Sequence, residues 1–231
     1  MEAVILAGGL GTRLRSVVTN LPKPMAPIRG TPFLAILLDK LDAAGFAMVT
    51  MAVGYRYEMI MDYFGESYKS LKLQYSIEKE PLGTGGAIRL ALEQTISPNV
   101  FVVNGDTHLE LNYQSMLAAH LYSNASITIA VRVVADVSRY GSLDIHHGRI
   151  SGFLEKGKSG SGTINGGIYL ISRKLFENYD LPPIFSFETD FLMRNVVDLQ
   201  PLSFQSQGSF IDIGIPEDYI RAQHQLALPT K

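Results

Sequence analysis

The first 105 residues alternate between short apolar runs and longer segments with helical spacing. Val4–Ala7, Met48–Val53 and Val100–Val103 are largely apolar over their whole length, which is typical of strands buried on both faces of a parallel sheet. Between them, Pro32–Gly45 and Thr84–Leu92 repeat apolar residues at helical spacing and predict two helices. Strands that alternate with helices in this way predict βαβ units with right-handed crossovers.

The pattern changes after Asp106. Ser126–Val134 alternates like a long strand and Ile164–Ile171 predicts a second one, with glycine-rich and polar turns between them. We therefore expect a mixed sheet in this part, with some antiparallel pairing. Residues 184–193 predict a core helix entered through Ser186, and the stretch from Pro216 predicts a final helix with a favourable acidic first turn.

Composition and charge exclude several classes of protein. With 231 residues, 46% hydrophobic and 18% charged, the chain is typical of one ordered domain, and its net charge of -2 offers no positive excess for a nucleic acid. The absence of cysteine excludes disulfides, thiolate nucleophiles and zinc–thiolate sites. No apolar run approaches the roughly 20 residues of a membrane span, and the N-terminus does not resemble a signal peptide. We predict a cytoplasmic protein without membrane contacts.

The glycine-rich turn "VILAGGLGTRL" (residues 4–14) is the first candidate for chemistry. Such a turn exposes backbone N–H groups that bind anions, and its glycines admit a ligand without Cβ collisions. The Gly-Lys-Ser/Thr end of a P-loop is missing, and Leu14 stands where a dinucleotide fingerprint needs its third glycine. Arg13 remains as a fixed charge suited to bidentate phosphate contacts. The alternative is a plain turn with a surface arginine.

The segment "LPKPMAPIRGTPFL" (21–34) offers a second positive charge. It places three prolines around Lys23. Because proline fixes φ and stiffens the chain, we expect Lys23 on a rigid arm rather than on a helix face, where it would meet a phosphate as a point charge. The alternative is a solvated lysine in a proline-rich turn.

Together, "LAGGLGTRL" and "PKPM" resemble the sugar-1-phosphate nucleotidyltransferases, and the resemblance extends over nearly the whole chain. It implies an α/β, Rossmann-like fold with a mixed, mostly parallel central sheet flanked by helices. It also implies one domain over residues 1–231, with a nucleotide-binding half (1–110) and a sugar-phosphate-binding half (111–231). In such enzymes a sugar 1-phosphate displaces pyrophosphate from a nucleoside triphosphate, and no nucleophilic side chain is needed.

The resemblance implies a Mg²⁺ ion held by two aspartates. "VFVVNGDTHL" (100–109) supplies Asp106 and "FIDIGIPEDY" (210–219) supplies Asp212. Aspartates at strand ends reach the crevice of an open α/β sheet, and Mg²⁺ prefers a few carboxylates with phosphate oxygens and water. Alone, either residue is more often a helix cap or a turn former. The catalytic set implied is Arg13, Lys23, Asp106 and Asp212.

The base is indicated by "SIEKEPLGTGGA" (76–87). We expect Glu78 and Glu80 on one face at the end of a strand, where carboxylates accept the ring N–H and exocyclic amine of guanine and repel uracil or thymine. The alternative is a pair of solvated glutamates beside Lys79. "EPLGTGG" resembles the guanosine-transferring members of the family, above all those that act on heptose 1-phosphate. The nucleotide-binding residues implied are Leu6, Ala7, Gly8, Gly9, Gly11, Thr12, Arg13, Glu78, Glu80, Gly83 and Asp106.

Three weaker segments match the sugar side of the family. "RYGSL" (139–143) implies that the Gly141 backbone approaches a sugar hydroxyl. "FLEKGKSG" (153–160) implies that Glu155 accepts from hydroxyls and that Lys156 contacts the sugar phosphate. "TINGGIYL" (163–170) implies a hydroxyl contact for Asn165. Each segment alone fits an ordinary turn as well as it fits a sugar contact. Their spacing and order along the chain support the sugar assignment for all three.

The expected activity is the transfer of GMP from GTP to a sugar 1-phosphate, with a heptose as the first choice and Mg²⁺ as the cofactor. The alternatives are a GDP-mannose-forming pyrophosphorylase and a uridylyl- or cytidylyltransferase on another sugar. A non-catalytic module that binds nucleotide sugars is a more distant one. A homodimer is compatible with the second half of the chain, although no residue pattern requires it.

Overall fold

The computed structural model describes residues 1–9, 11–14, 17–154 and 159–226. The helices are α1 (Phe33–Ala43), α2 (Tyr57–Phe64), α3 (Gly83–Leu92), α4 (Tyr113–Tyr122), α5 (Val196–Leu199) and α6 (Pro216–Gln225). The strands are β1 (Glu2–Leu6), β2 (Pro27–Ile28), β3 (Thr31–Pro32), β4 (Met48–Val53), β5 (Ser67–Tyr68), β6 (Leu71–Ile77), β7 (Asn99–Asn104), β8 (Thr107–Leu109), β9 (Ile127–Val134), β10 (Ser142–His146), β11 (Arg149–Leu154), β12 (Gly162–Ser172), β13 (Leu202–Ser206) and β14 (Phe210–Asp212).

Ten of these strands form one mixed sheet in the order β10-β11-β13-β9-β12-β7-β1-β4-β6-β5. The strands β7, β1, β4 and β6 are parallel neighbours, as the alternation of strands and helices in the first half predicts. β12 lies between β7 and β9 and is antiparallel to both. The expected α/β fold, with a mostly parallel centre and antiparallel pairing in the second half, is confirmed.

The predicted elements are present with small shifts at their ends. β1 begins and ends earlier than the predicted Val4–Ala7, although Ala7 N still donates to Ala52 O at 2.8 Å. α1 begins after Pro32, which occupies the N-cap position, and ends at Ala43. β12 is longer than predicted, because Gly162 and Thr163 continue the pairing with β9 at its start and Ser172 continues the pairing with β7 at its end.

The hydrophobic core lies on both faces of the sheet. On β1, Ala3 and Ile5 pack toward the helices α1, α2 and α4, whereas Val4 packs on the opposite face with α3. Because the parallel strands are buried on both faces, their sequences are apolar throughout rather than alternating. Because both faces of these strands are covered by the core, a ligand can reach them only at the edge of the sheet where they end.

A third apolar cluster connects the opening loop to the end of the chain. Leu14 and Phe33 pack against Ile211 of β14 and Ala222 of α6, and all four side chains are buried. The cluster therefore holds β14 beside the segment that carries Lys23.

The predicted core helix at residues 184–193 forms, but as a π-helix over Phe187–Leu192. Ser186 is its N-cap, as predicted, and its Oγ accepts from Thr189 N at 3.2 Å. Phe187 and Phe191 are buried, whereas Glu188 is exposed. None of the helices in the described ranges is long and apolar enough to span a bilayer.

Candidate active site

A cavity of about 980 Å³ opens at the carboxyl ends of the parallel strands. This is where ligands bind in open α/β sheets. In the order of the sheet, its walls come from residues after β6, β4, β1 and β7, then from β12, and finally from α3 and the π-helix. The lining residues used below are Leu6, Gly8, Gly9, Lys23, Gly54, Glu78, Lys79, Glu80, Gly83, Thr84, Asn104, Asp106, Tyr169 and Glu188.

A smaller cavity of about 200 Å³ adjoins the larger one. The two share Gly9, Lys23 and Asp106, and the smaller cavity adds Gly11 and Arg13. The structure therefore brings the predicted Arg13 to the same place as Lys23 and Asp106, although their motifs are far apart in the sequence.

The glycine-rich turn packs closely against both ends of this site. A Cβ atom on Gly8 would lie 2.6 Å from Glu78 Oε1, and one on Gly11 would lie 2.8 Å from Lys23 Cβ. Gly11 also has a φ of +57°, which disfavours other residues. Thr12 begins a 3₁₀ turn over Thr12–Leu14. These glycines thus leave room for the neighbouring side chains as well as for a ligand.

The sequence predicts Lys23 on a rigid arm rather than on a helix face. In the structure, Lys23 begins a single 3₁₀ turn over Lys23–Met25. Its side chain is only 11% exposed and forms an ion pair with Asp106. The alternative of a solvated lysine is therefore wrong. An ammonium group has three donors, so the bond to Asp106 leaves donors for a ligand.

The two predicted metal-binding aspartates are brought together by a two-stranded ladder. β8 pairs with β14 so that Thr107 lies opposite Asp212, and Ile213 N donates to Asp106 O at 2.9 Å. Thr107 Oγ1 donates to Asp106 Oδ1 at 3.0 Å, and Gly214 N donates to Asp212 Oδ1 at 2.6 Å. Both carboxylates are thus oriented by hydrogen bonds from their own strand ends.

The electrostatics of this pair fit a divalent cation. Burial, and then the negative charge of Asp106, raise the pKa of Asp212, whereas the positive charge of Lys23 lowers it. One lysine thus faces two carboxylates, which leaves negative charge for a cation to compensate. Among the described residues, no group of three or more potential metal ligands is found. A donor set of two carboxylates fits Mg²⁺, which completes its shell with phosphate oxygens and water.

The prediction that Glu78 and Glu80 lie on one face of a strand is wrong. β6 ends at Ile77, and both residues belong to the following loop. Both nevertheless line the larger cavity. Glu78 Oε2 accepts from Leu82 N at 2.9 Å, and burial raises the pKa of Glu78. The alternative of a solvated glutamate is wrong for Glu78, whereas Glu80 is exposed.

The remaining nucleotide-side residues divide between the cavity wall and the core. Leu6, Gly9 and Gly83 line the larger cavity. Ala7 is buried and does not line it. Its hydrogen bond to Ala52 O instead fixes the start of the glycine-rich turn.

On the sugar side, Gly141 does not line either cavity. It has a φ of +75° and follows Tyr140, whose ring packs edge-on against Phe210 with centroids 5.6 Å apart. The turn is therefore attached to β14, the strand that carries Asp212. The predicted Glu155 and Lys156 lie outside the described residues.

Asn165 also does not line the larger cavity, and its side-chain amide forms hydrogen bonds within the protein. Its Nδ2 donates to Glu188 Oε1 and to Tyr169 Oη, each at 2.8 Å. Glu188 does line the cavity, and the sequence analysis missed it by assigning its segment to the core. A signal was present, because Glu188 places a charge directly after the apolar Phe187 in this segment.

Comparisons with known proteins agree with this geometry. The family model described as "Nucleotidyl transferase" matches residues 2–228. The D-glycero-alpha-D-manno-heptose 1-phosphate guanylyltransferase of Aneurinibacillus thermoaerophilus is 45% identical over 226 residues, which cover 98% of each chain. A mannose-1-phosphate guanyltransferase of Schizosaccharomyces pombe is 35% identical over 230 residues, covering 95% of this chain and 62% of that longer one.

A solved structure is also similar. The crystal structure of HddC from Yersinia pseudotuberculosis superposes with a TM-score of 0.88 at 42% sequence identity, covering 97% of this chain and 98% of HddC. A second crystal structure of HddC, complexed with GMP-PN, gives a TM-score of 0.87. The predicted family resemblance and fold are confirmed.

Proposed function

Because the chain belongs to the nucleotidyl transferase family, we propose that it transfers GMP from GTP to D-glycero-α-D-manno-heptose 1-phosphate, forming GDP-heptose and pyrophosphate. The observation that carries the reaction class is the meeting of the glycine-rich turn, the largely buried Lys23 and Asp106 at one cavity, with Asp212 held beside the Asp106 segment by the pairing of β14 with β8. The full-length similarity to a protein named for this activity supports the choice of GTP and the heptose.

The proposed reaction is an in-line displacement at phosphorus. An oxygen of the sugar phosphate forms a bond to the α-phosphorus of GTP, while the bond from that phosphorus to the α–β bridging oxygen breaks and pyrophosphate leaves. Because both reactants are anions, catalysis consists mainly of positioning and charge stabilisation. Lys23 contacts the α-phosphate and the incoming sugar phosphate with donors that Asp106 leaves free. Arg13, in the adjoining cavity, meets the charge of the departing pyrophosphate.

Asp106 and Asp212 are the residues that would hold Mg²⁺. When bound there, the ion would supply positive charge against the triphosphate. Without it, the two carboxylates and the substrates would repel one another, and Lys23 offsets only part of that repulsion. Burial is the first cause of the raised pKa of Asp212, and the negative charge of Asp106, its second cause, supports this assignment.

Guanine is assigned to the end of the cavity formed by the loop after β6. Glu78 accepts from the ring N–H and the exocyclic amine of guanine, and the fixed hydrogen bond from Leu82 N orients its carboxylate. Leu6, Gly8 and Gly83 form the surrounding wall. Uracil and thymine present an acceptor at the same edge, so Glu78 disfavours UTP and dTTP.

Mannose 1-phosphate is the second candidate for the sugar, and the similarity to the S. pombe mannose-1-phosphate guanyltransferase favours it. That relative is less similar, and this chain spans only 62% of it, so the heptose remains our proposal. A non-catalytic module is disfavoured because Arg13, Lys23, Asp106 and Asp212 are all present.

Four further assignments belong to the proposal. Gly141, Glu155, Lys156 and Asn165 serve the sugar phosphate, directly or through neighbours, and residues 1–110 and 111–231 act as nucleotide and sugar halves of one domain. Because GTP and sugar phosphates are cytoplasmic metabolites, we assign the protein to the cytoplasm, which fractionation tests. A homodimer is compatible with the second half of the chain, and light scattering of the purified protein tests it.

The test is a product analysis with purified protein, GTP, the heptose 1-phosphate and Mg²⁺. We expect GDP-heptose by mass spectrometry together with one equivalent of pyrophosphate. A chelator should stop the reaction and added Mg²⁺ should restore it. Failure to form any nucleotide sugar would contradict the proposal, and formation that is indifferent to the chelator would contradict the metal assignment alone.

A further inference from the structure

We propose that Glu188 accepts a hydrogen bond from a ring hydroxyl of the sugar 1-phosphate and thereby helps to select the sugar. This inference rests on the proposed function and deepens it. Asn165, predicted to contact the sugar itself, becomes a positioning residue that orients Glu188.

The carboxylate of Glu188 has one oxygen fixed and one available. Oε1 accepts from Tyr169 Oη at 2.5 Å and from Asn165 Nδ2 at 2.8 Å. In the ranges that the structure describes, Oε2 accepts no hydrogen bond. Glu188 is exposed and lines the larger cavity, so this second oxygen is an acceptor for a ligand.

The residues that hold Glu188 are themselves rigidly placed. Tyr169 is 1% exposed, and burial, followed by the charge of Glu188, raises its pKa well above the ordinary value. Tyr169 therefore remains a donor at any physiological pH. Asn165 Oδ1 accepts from Gly167 N at 3.0 Å, within a bulge of β12. The network thus exists before the substrate arrives, which lowers the entropic cost of binding.

The backbone around Glu188 is fixed from the other half of the chain. Phe187 N donates to Thr84 Oγ1 at 2.9 Å, and Gly85 N donates to Phe185 O at 2.9 Å. Both partners lie in α3, whose first turn faces the cavity. Glu188 therefore belongs to a fixed wall rather than to a mobile surface loop.

The position of Glu188 in the sheet order indicates the sugar rather than the base. Glu78 follows β6, the glycine-rich turn follows β1, and Asp106 follows β7. Tyr169 lies beyond β7 on β12, and its hydrogen bond holds Glu188 of the π-helix beside it. The reacting phosphates thus lie between Glu78 and Glu188. A carboxylate repels phosphate but accepts strongly from hydroxyls, so Glu188 suits the polyhydroxyl end of the sugar phosphate.

The experiment compares E188Q and E188A with wild-type protein, varying GTP and the heptose 1-phosphate independently. A hydrogen bond to a charged acceptor is lost, so kcat/KM for the sugar phosphate should fall about 10- to 100-fold, with KM for GTP within about twofold of wild type. The matched control is E177Q, which makes the same change at an exposed residue whose ion pair to Lys174 is 3.9 Å long. E188Q should fold, because glutamine keeps an oxygen that accepts from Tyr169 Oη and Asn165 Nδ2, and its melting temperature is measured beside that of E177Q.

Monodeoxy heptose 1-phosphates identify the hydroxyl. With wild-type protein, kcat/KM should be lower by a similar factor for the analogue that lacks the hydroxyl bound by Glu188. With E188Q, kcat/KM for the same analogue should be little lower than for the complete heptose 1-phosphate. Y169F should raise KM for the sugar by a smaller factor, and its effect should vanish in combination with E188Q. A merely structural role of Glu188 would not produce this dependence on one hydroxyl.

The outcomes separate the two proposals. An inactive wild-type protein with every sugar 1-phosphate overturns the proposed function. If the wild-type protein is active and E188Q uses each sugar 1-phosphate as well as the wild type does, only the role of Glu188 is overturned. A rise in KM for GTP instead of the sugar also overturns it, because the hydroxyl would then belong to the ribose.

Discussion

The two halves of the chain build their parts of the site in different ways. In residues 1–110, the site residues follow the ends of the parallel strands β1, β6 and β7. Each of them therefore comes shortly after an apolar run in the sequence. In residues 111–231, Tyr169 and Glu188 come from within an antiparallel strand and a π-helix. A polar residue after an apolar run therefore predicts the cavity residues that follow the parallel strands, but it does not predict Tyr169 and Glu188.

The physical reason is the direction of the strands. Parallel strands end at one edge of the sheet, so residues that follow them meet in one crevice. β12 runs against β7, and its extra residues at Gly166–Gly167 shift the register with β9 between Asn165 and Tyr169. A strand alternation in the sequence does not include such a shift of register.

The largest expected effect tests the charges at the strand ends. Asp106→Asn or Asp212→Asn should lower kcat about 10²- to 10³-fold, by analogy with the loss of one preorganised charge-stabilising group, as measured by pyrophosphate release. Asp144→Asn removes a carboxylate from an exposed position of β10 and should leave kcat unchanged. Turnover of Asp106→Asn within a few-fold of wild type would contradict the catalytic assignment.

The base end should respond next most strongly. Glu78→Gln should lower kcat/KM for GTP about 10- to 100-fold, because it loses a charged acceptor. Since burial raises the pKa of Glu78, protonation on acidification should weaken GTP binding in wild-type protein at a higher pH than an ordinary glutamate would. Steady-state KM for GTP between pH 8 and pH 5 measures this, and the acid limb should be absent in Glu78→Gln.

Glu80→Gln is the matched control, because Glu80 lines the same cavity but is exposed. Its effect on GTP should be smaller, and it should keep the acid limb. Equal effects of the two substitutions would show that burial of Glu78 has no part in recognition.

Packing between the halves is tested at Gly85. A Cβ there would lie 2.1 Å from Phe185 Cε2, so Gly85→Ala should displace the ring and lower the free energy of unfolding by about 1–3 kcal/mol. Because Phe185 precedes Glu188, the KM for the sugar phosphate should rise as well. Gly152→Ala, where the nearest atom lies at 3.5 Å, should do neither in denaturant titrations and kinetics. Unchanged stability of Gly85→Ala would mean that the contact is loose.

The smallest expected effect concerns His120, which joins the halves. Its ring bonds Thr128 Oγ1 at 2.8 Å and Asn99 Oδ1 at 3.1 Å, and burial lowers its pKa. Below about pH 6.5 the unfolded chain takes up this proton first, so the free energy of unfolding should fall, by at most about 1.4 kcal/mol per pH unit for one histidine. Urea titrations should show a shallower fall for His120→Gln. An identical slope in the variant would contradict this, and the exposed His146→Gln is the control.

Much of the fold was predictable from the sequence because hydrophobic periodicity and strand burial are local properties. Lys23 was predicted as a site residue, but its 3₁₀ turn was not, because the prolines around it fit both conformations. Glu78 and Glu80 were predicted in the site although the strand ends before them. Glu188 was missed because its role depends on a tertiary contact with Asn165 and Tyr169 that no local pattern encodes.

The central claim is that this cavity joins GTP to a heptose 1-phosphate, and one measurement tests it most directly. Pyrophosphate release is recorded with Mg²⁺ while GTP, UTP, CTP, dTTP and ATP are each combined with heptose and mannose 1-phosphates. We expect turnover with GTP and the heptose, far above every other combination. Preference for a nucleotide other than GTP, or no release in any combination, would contradict it.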